Sequence, residues 1–136
     1  MKTNFYFFRF LFPAIFFSIT VSSSAQIPEA DRVEKLAIYK AVVGASDELP
    51  DDSVNYNINN PVTIDSMFSQ IDVNVLRDCS KLEADCNGYV YVKFYDGTRQ
   101  VYHLFATWTH LSMKGSRNIC YFVYPAAREL FKNNAQ

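Results

Sequence analysis

His103 and His110 are the two histidines of this chain, and imidazole is the side chain best suited to acid–base or metal chemistry near neutral pH. Residues 99–110 predict one long strand, on which positions seven apart face opposite sides. The two rings then cannot share a metal ion. Cys120, in an adjacent predicted strand, could act as a nucleophile beside either histidine, but no nucleophile turn or glycine-rich oxyanion loop accompanies it. We expect no metal and no cofactor, and an enzyme is the less favoured interpretation.

Carboxylates cluster in one polar segment, residues 45–60, which contains Asp47, Glu48, Asp51 and Asp52. No apolar residues frame them, so nothing there would raise a pKa as a general acid requires. Their spacing also lacks the pattern and the glycine of an EF-hand loop. Phosphate-loop, G-x-S-x-G and H-E-x-x-H motifs are absent from the sequence, which has 4 glycines. The segment therefore predicts a solvated acidic loop, available as a contact surface.

A predicted β-hairpin contains most of the aromatic residues that could contact a partner. Residues 89–95 and 99–110 are rich in β-branched and aromatic types, and Asp96-Gly97 between them is typical of a two-residue turn. Such a turn would pair Tyr91 with Tyr102. One face would then hold Val90, Val92, Phe94, Val101 and Phe105, with His103 beside them. The other face would hold Tyr89, Tyr91, Tyr95, Tyr102, Leu104 and Trp108.

Tyrosine and tryptophan combine rigid apolar area with a polar group, which favours recognition of protein and sugar ligands. The candidate binding residues are Tyr89, Tyr91, Tyr102, Trp108 and His103. Two alternatives stay open. In the first, the tyrosines only line a half-exposed sheet or pack under the 45–60 loop. In the second, a three-residue turn changes the strand register by one residue, so that these aromatic residues no longer share one face.

The elements that must position these residues follow from periodicity. Residues 28–43 predict a first helix, with Pro28 in its first turn and Gly44 as its C-terminal cap. Residues 63–78 predict a second helix capped by Thr63. Strands are predicted at 89–95, 99–110 and 118–124, with a weaker edge strand at 54–58, and a short helix at 126–132. The expected fold class is α+β: N-terminal helices packed on a three- to four-stranded antiparallel β-meander, with a short C-terminal helix.

The first 25 residues predict a cleaved signal peptide. Lys2 and Arg9 form a basic n-region, residues 10–21 are apolar, and cleavage is expected after Ala25. The apolar run is shorter than the roughly 20 residues that a transmembrane helix needs. The expected product is a secreted or periplasmic protein without a stable membrane anchor, in which residues 26–136 form a single small domain.

Three cysteines, Cys79, Cys86 and Cys120, lie in the predicted mature part, where an oxidising compartment permits disulfides. Because three is an odd number, one thiol must stay unpaired within the chain. No C-x-x-C motif indicates zinc. We favour Cys79–Cys86, which requires a preceding helix to end before Cys86, and place Cys86–Cys120 next. Cys120, inside an apolar run, is expected to be a small buried residue.

The whole chain has 13 basic and 14 acidic residues, and loss of Lys2 and Arg9 would leave the domain mildly acidic. This balance favours neither nucleic acid nor anionic lipid as a partner. With catalytic motifs absent, we expect a protein-binding module of the inhibitor or immunity type that uses the aromatic sheet face. The alternative is a small-ligand pocket of the helix-on-curved-sheet kind, with His103 or His110 inside it and possible weak activity. The oligomeric state does not follow from the sequence.

Overall fold

The computed structural model describes residues 27–41, 49–77, 86–113 and 119–136, with the side chains of 73–77 left aside. These ranges form one six-stranded antiparallel sheet and two short α-helices. The strands are β1 Val33–Lys40, β2 Ile71–Arg77, β3 Cys86–Phe94, β4 Arg99–Phe105, β5 His110–Met113 and β6 Cys120–Val123, and the helices are α1 Pro61–Phe68 and α2 Pro125–Asn133. The strand order is β1-β3-β4-β5-β6-β2. The expected fold of N-terminal helices on a three- to four-stranded meander is therefore wrong, and the fold is mostly β.

The predicted first helix, 28–43, is a short 3-10 turn at Ala30–Arg32 followed by strand β1. Leu36, Ala37 and Ile38 are consecutive and all fully buried. A helix on a protein surface buries one stripe, whereas a strand covered on both sides buries neighbouring residues on opposite faces. The same apolar residues match both periodicities over one turn, so burial on two faces decided the outcome.

The predicted second helix, 63–78, divides into α1 and β2. Asn60 rather than Thr63 caps α1, since its side chain accepts a hydrogen bond from the Val62 backbone N–H at 2.9 Å, and Pro61 begins the first turn. The helix ends at Phe68, and the alternating sequence from Ile71 continues as a strand paired with β6. Helix α2, by contrast, lies within one residue of the predicted C-terminal helix.

The β3–β4 hairpin has a three-residue loop, Tyr95 to Gly97, instead of the predicted two-residue loop. The Phe94 N–H donates to the Thr98 carbonyl at 2.9 Å, and Gly97 has a φ of 88°. Tyr91 consequently pairs with Val101, and Val90 pairs with Tyr102. The predicted register is wrong by one residue, which moves every β4 side chain to the other face relative to β3.

The sheet has a core face, against which both helices pack, and a second face. Its core face carries Leu36, Ile38, Val90, Val92, Tyr102, Leu104, Leu111, Tyr121 and Val123, in one cluster with Ile64, Met67, Phe68, Ala127 and Phe131 of the helices. The second face is defined by the alternate residues: Lys35, Ala37, Tyr39, Tyr89, Tyr91, Lys93, Arg99, Val101, His103, Phe105, His110, Ser112, Cys120, Phe122 and Asp72.

Two segments cover the outer edge of β1. Ile58 forms an antiparallel bridge with Leu36, with reciprocal backbone hydrogen bonds of 2.8 and 3.0 Å. Further along, residues 135–136 run parallel to the strand. The Gln136 N–H donates to the Ile38 carbonyl, and the Lys40 N–H donates to the Gln136 carbonyl. An uncovered strand edge is a template for association, and here that edge is already occupied along much of β1.

Cys86 keeps its thiol, which donates to the Gly88 carbonyl with a sulfur–oxygen distance of 3.3 Å. Both favoured pairings, Cys79–Cys86 and Cys86–Cys120, are therefore wrong. Cys120 is buried as expected, but it is disulfide-bonded. Cys79, the predicted signal peptide, Asp47 and Glu48 lie outside the described residues. Within the four described ranges, no helix has both the length and the apolar character needed to cross a membrane.

Candidate functional site

Two of the five candidate residues lie on the core side of the sheet. Tyr102 is only 2% exposed in the helix-facing core, and burial, followed by the nearby Tyr121, raises the pKa of its hydroxyl. Trp108 packs against the same core, and its six-membered ring lies over the backbone of Gly88. The one-residue difference in the register of β4 explains why Tyr102 lies on the core side. A break between β4 and β5 explains why Trp108 lies there, since the predicted continuous strand placed it on the same face as Tyr91.

Tyr91 stays on the second face but is covered, with 1% of its surface exposed. Its hydroxyl accepts a hydrogen bond from the Leu49 N–H at 2.9 Å, and that of Tyr39 accepts one from the Asn55 N–H at the same distance. The interpretation that tyrosines pack under the 45–60 loop therefore applies to Tyr91. Tyr89 is half-buried between Tyr91 and His103, with ring centroids 6.4 and 5.2 Å away.

Four aromatic side chains lie in a row on the second face, and we call them the aromatic patch: Phe105, His110, Phe122 and Tyr124. Phe105 pairs across the strands with His110, and His110 pairs with Phe122. Successive ring centroids are 5.7, 5.9 and 5.5 Å apart along the patch. The first contact is stacked and the other two are edge-to-face, which are the favourable arrangements of aromatic pairs. The first three residues are half-buried, and Tyr124 is 40% exposed.

Two charged residues orient the β6 end of the patch. The Arg128 guanidinium lies over the Phe122 ring, 5.1 Å from its centroid, and its Nε donates to the Val123 carbonyl at 2.9 Å. The Tyr124 hydroxyl donates to Asp72 Oδ2 at 2.9 Å, and this hydrogen bond is the main reason that the pKa of Tyr124 is raised. Arg128 comes from α2 and Asp72 from β2, so two further elements fix this end of the patch.

A strained turn holds His110. Ala106, Thr107 and Trp108 have φ of 53°, 59° and 65°, a left-handed conformation that costs L-residues roughly 1–2 kcal/mol each. The Thr109 hydroxyl donates its single hydrogen to the Ala106 carbonyl at 2.5 Å. Oγ1 of the same residue lies 2.7 Å from Nδ1 of His110, so it must accept there, and Nδ1 carries a hydrogen.

This turn also places His103 and His110 on the same face, contrary to the prediction from a continuous strand. No signal in the sequence Ala-Thr-Trp-Thr indicates such a turn, because left-handed residues are usually glycine or asparagine. Two members of the patch had a visible signal, since Phe122 and Tyr124 alternate with the core residues Tyr121 and Val123. The candidate residues Tyr89 and His103 adjoin the patch, as His103 is two residues from Phe105 on β4.

The aromatic patch offers several kinds of contact within a small area. It combines planar apolar rings with a guanidinium, an imidazole and a phenol–carboxylate pair, all held on strands or at a helix start. Among the residues in the four described ranges, no three His, Cys, Asp or Glu side chains are grouped so that they could hold a metal ion.

Comparison of the chain with protein-family models, with curated proteins and with solved structures gave no match.

Proposed function

We propose that this chain is an exported protein-binding module and that it holds its partner against the aromatic patch. The observation that supports this most is the continuous row of half-exposed rings across β4, β5 and β6. The row ends at Tyr124, whose hydroxyl donates to Asp72, and the Arg128 guanidinium lies over the neighbouring Phe122 ring. Aromatic residues and arginine are enriched at protein interfaces and supply most of the residues whose truncation abolishes binding.

Rigidity adds to the argument. Every ring of the patch touches another ring, and the neighbouring turn is kept in a strained conformation beside His110. Residues held in strained backbone conformations cluster at binding and catalytic sites, where the surrounding structure maintains them. Side chains that are already fixed lose little conformational entropy when a partner binds.

The test is affinity capture from a native envelope or secreted fraction, with quantitative mass spectrometry. The bait is attached through its N-terminal side, because residues 135–136 belong to the sheet edge. Wild-type protein is compared with Tyr124→Ala and with a matched control, Tyr95→Ala, which removes a 66% exposed tyrosine at the hairpin tip. Melting temperatures establish that both variants are folded.

We expect at least one protein to be retained by wild type and by Tyr95→Ala and to be lost with Tyr124→Ala. With that protein purified, the dissociation constant should rise by roughly 30-fold or more, as for a residue at the centre of an interface. Equal retention by the two variants, or no protein retained by wild type, contradicts the proposal.

A further inference from the structure

Three basic residues form a row across the second face, at the end of the sheet nearest the hairpin tip. Lys35 of β1 lies directly opposite Lys93 of β3, and Lys93 lies directly opposite Arg99 of β4. Directly paired residues of an antiparallel sheet point to the same side, with Cβ atoms about 4.5–5.5 Å apart. We call Lys35, Lys93 and Arg99 the basic row.

The basic row is only partly compensated within the described residues. Arg99 approaches Asp51 with a nitrogen–oxygen distance of 3.7 Å, and the Lys35 ammonium lies 5.6 Å from the centroid of the Tyr56 ring. Lys93, in the middle, is half-buried between two cations. In the part of the chain that the structure describes, no carboxylate is within 4 Å of its ammonium. Like charges placed directly opposite destabilise a sheet, so this arrangement opposes folding and favours an anion.

We propose that the basic row is a docking site for an acidic segment of the partner protein. The basic row spans three adjacent strands, so two strand spacings make it roughly 10 Å wide. A positive charge confined to that width attracts a few carboxylates. A long polyanion fits less well. Asp51 already lies beside Arg99, the whole chain has a net charge of −1, and nucleic-acid binding needs a broader basic surface.

This inference names the partner's chemistry and therefore rests on the proposed function. Arg99 and Phe105 lie six residues apart on β4, so the basic row and the aromatic patch are separated by roughly 20 Å along the strand. Between them, Tyr91 is covered by the chain at Leu49. The partner would contact the two sites with different parts of its surface, so each site can be tested alone.

The probe is fluorescein-labelled hexaglutamate, titrated with the full domain at low and at physiological salt and followed by fluorescence anisotropy. Hexaglutamine and a single-stranded oligothymidine of equal charge are the comparison ligands. The variant is Lys35→Gln with Lys93→Gln, which leaves the Arg99–Asp51 pair intact. Lys40→Gln is the matched control, because it removes one lysine from the same strand at an exposed position away from the row.

We expect hexaglutamate to bind more tightly than hexaglutamine, and we expect its affinity to fall as salt is added. The double variant should bind hexaglutamate about 4- to 25-fold more weakly, from roughly two- to fivefold for each of the two charges removed. Lys40→Gln and Tyr124→Ala should bind as wild type does, so failure of the patch and failure of the row give different results. At low salt, the melting temperature of the double variant should not fall below that of wild type, because the repulsion among Lys35, Lys93 and Arg99 is removed.

Three results would overturn the inference: equal binding of hexaglutamate and hexaglutamine, unchanged binding by the double variant, or tighter binding of oligothymidine than of hexaglutamate. The last would indicate a nucleic acid as the ligand. A lower melting temperature of the double variant at low salt would show that Lys35 and Lys93 are already stabilised by contacts within the fold, and would remove the argument for an external anion.

Discussion

Gly88 offers the sharpest test of the packing that places Trp108. A Cβ at this position would lie 2.8 and 2.9 Å from Trp108 Cη2 and Cζ3, and 3.0 Å from the Tyr39 carbonyl oxygen. Carbon atoms in normal contact are about 3.5–4.0 Å apart, so the indole would have to retreat by roughly 0.6–1.2 Å. The backbone N–H of Trp108 donates to Asn87 Oδ1 at 3.1 Å, which fixes the main chain from which the indole extends.

Gly88→Ala should therefore destabilise the domain. Overpacking costs about 1–3 kcal/mol, and the reduced freedom of the unfolded chain returns about 0.4–1 kcal/mol. The net loss of roughly 1–2 kcal/mol should lower the melting temperature by about 5–15 °C in a domain of this size. Differential scanning calorimetry and urea unfolding measure the two quantities.

A double-mutant cycle with Trp108→Leu isolates the cause, since the smaller side chain removes the obstacle. Gly88→Ala should cost at least about 1 kcal/mol less in the Trp108→Leu background than in wild type. Gly97→Ala is the control: its Cβ would meet nothing within 4 Å, but its φ of 88° makes it strained, so its cost should not depend on residue 108. Equal costs of Gly88→Ala in both backgrounds would refute the steric explanation.

Two further outcomes follow from burial and from the sheet edge. Burial raises the pKa of Tyr102 above the unfolded value near 10, so the free energy of unfolding of wild type should be unchanged below pH 10 and should fall above it by up to about 1.4 kcal/mol per pH unit. In urea unfolding, Tyr102→Phe should lose less stability over this range, and parallel curves for the two proteins would contradict the raised pKa of Tyr102. Deleting residues 135–136 removes two backbone hydrogen bonds from β1, so we expect a loss of about 1–3 kcal/mol and self-association in size-exclusion chromatography with light scattering, whereas Gln136→Ala, which keeps those bonds, should stay monodisperse.

Sequence periodicity located the elements whose apolar pattern fits one structure only. The predicted strands around Tyr91 and Phe122 and the C-terminal helix are present. Residues 33–40 fit a helix and a strand equally well over one turn, and burial on both faces of β1 favours the strand. Tertiary context commonly overrides such local preferences.

The candidate site depended on register, which amplifies small errors. One additional loop residue at Tyr95 moved Tyr102 into the core, and a left-handed turn without glycine moved Trp108 there as well. No local pattern encodes either event. The aromatic patch arises from residues on three strands and a helix start, so a reader of the sequence could identify its alternating half, Phe122 and Tyr124, but not its neighbours His110 and Phe105.

The bridge between Ile38 and Ala135 has a consequence for the order in which the chain folds. Strand β1 takes two of its backbone hydrogen bonds from Gln136, so its outer edge cannot be completed before residues 135–136 have been synthesised. Contacts between such distant residues also slow folding, since the intervening chain must first be brought together.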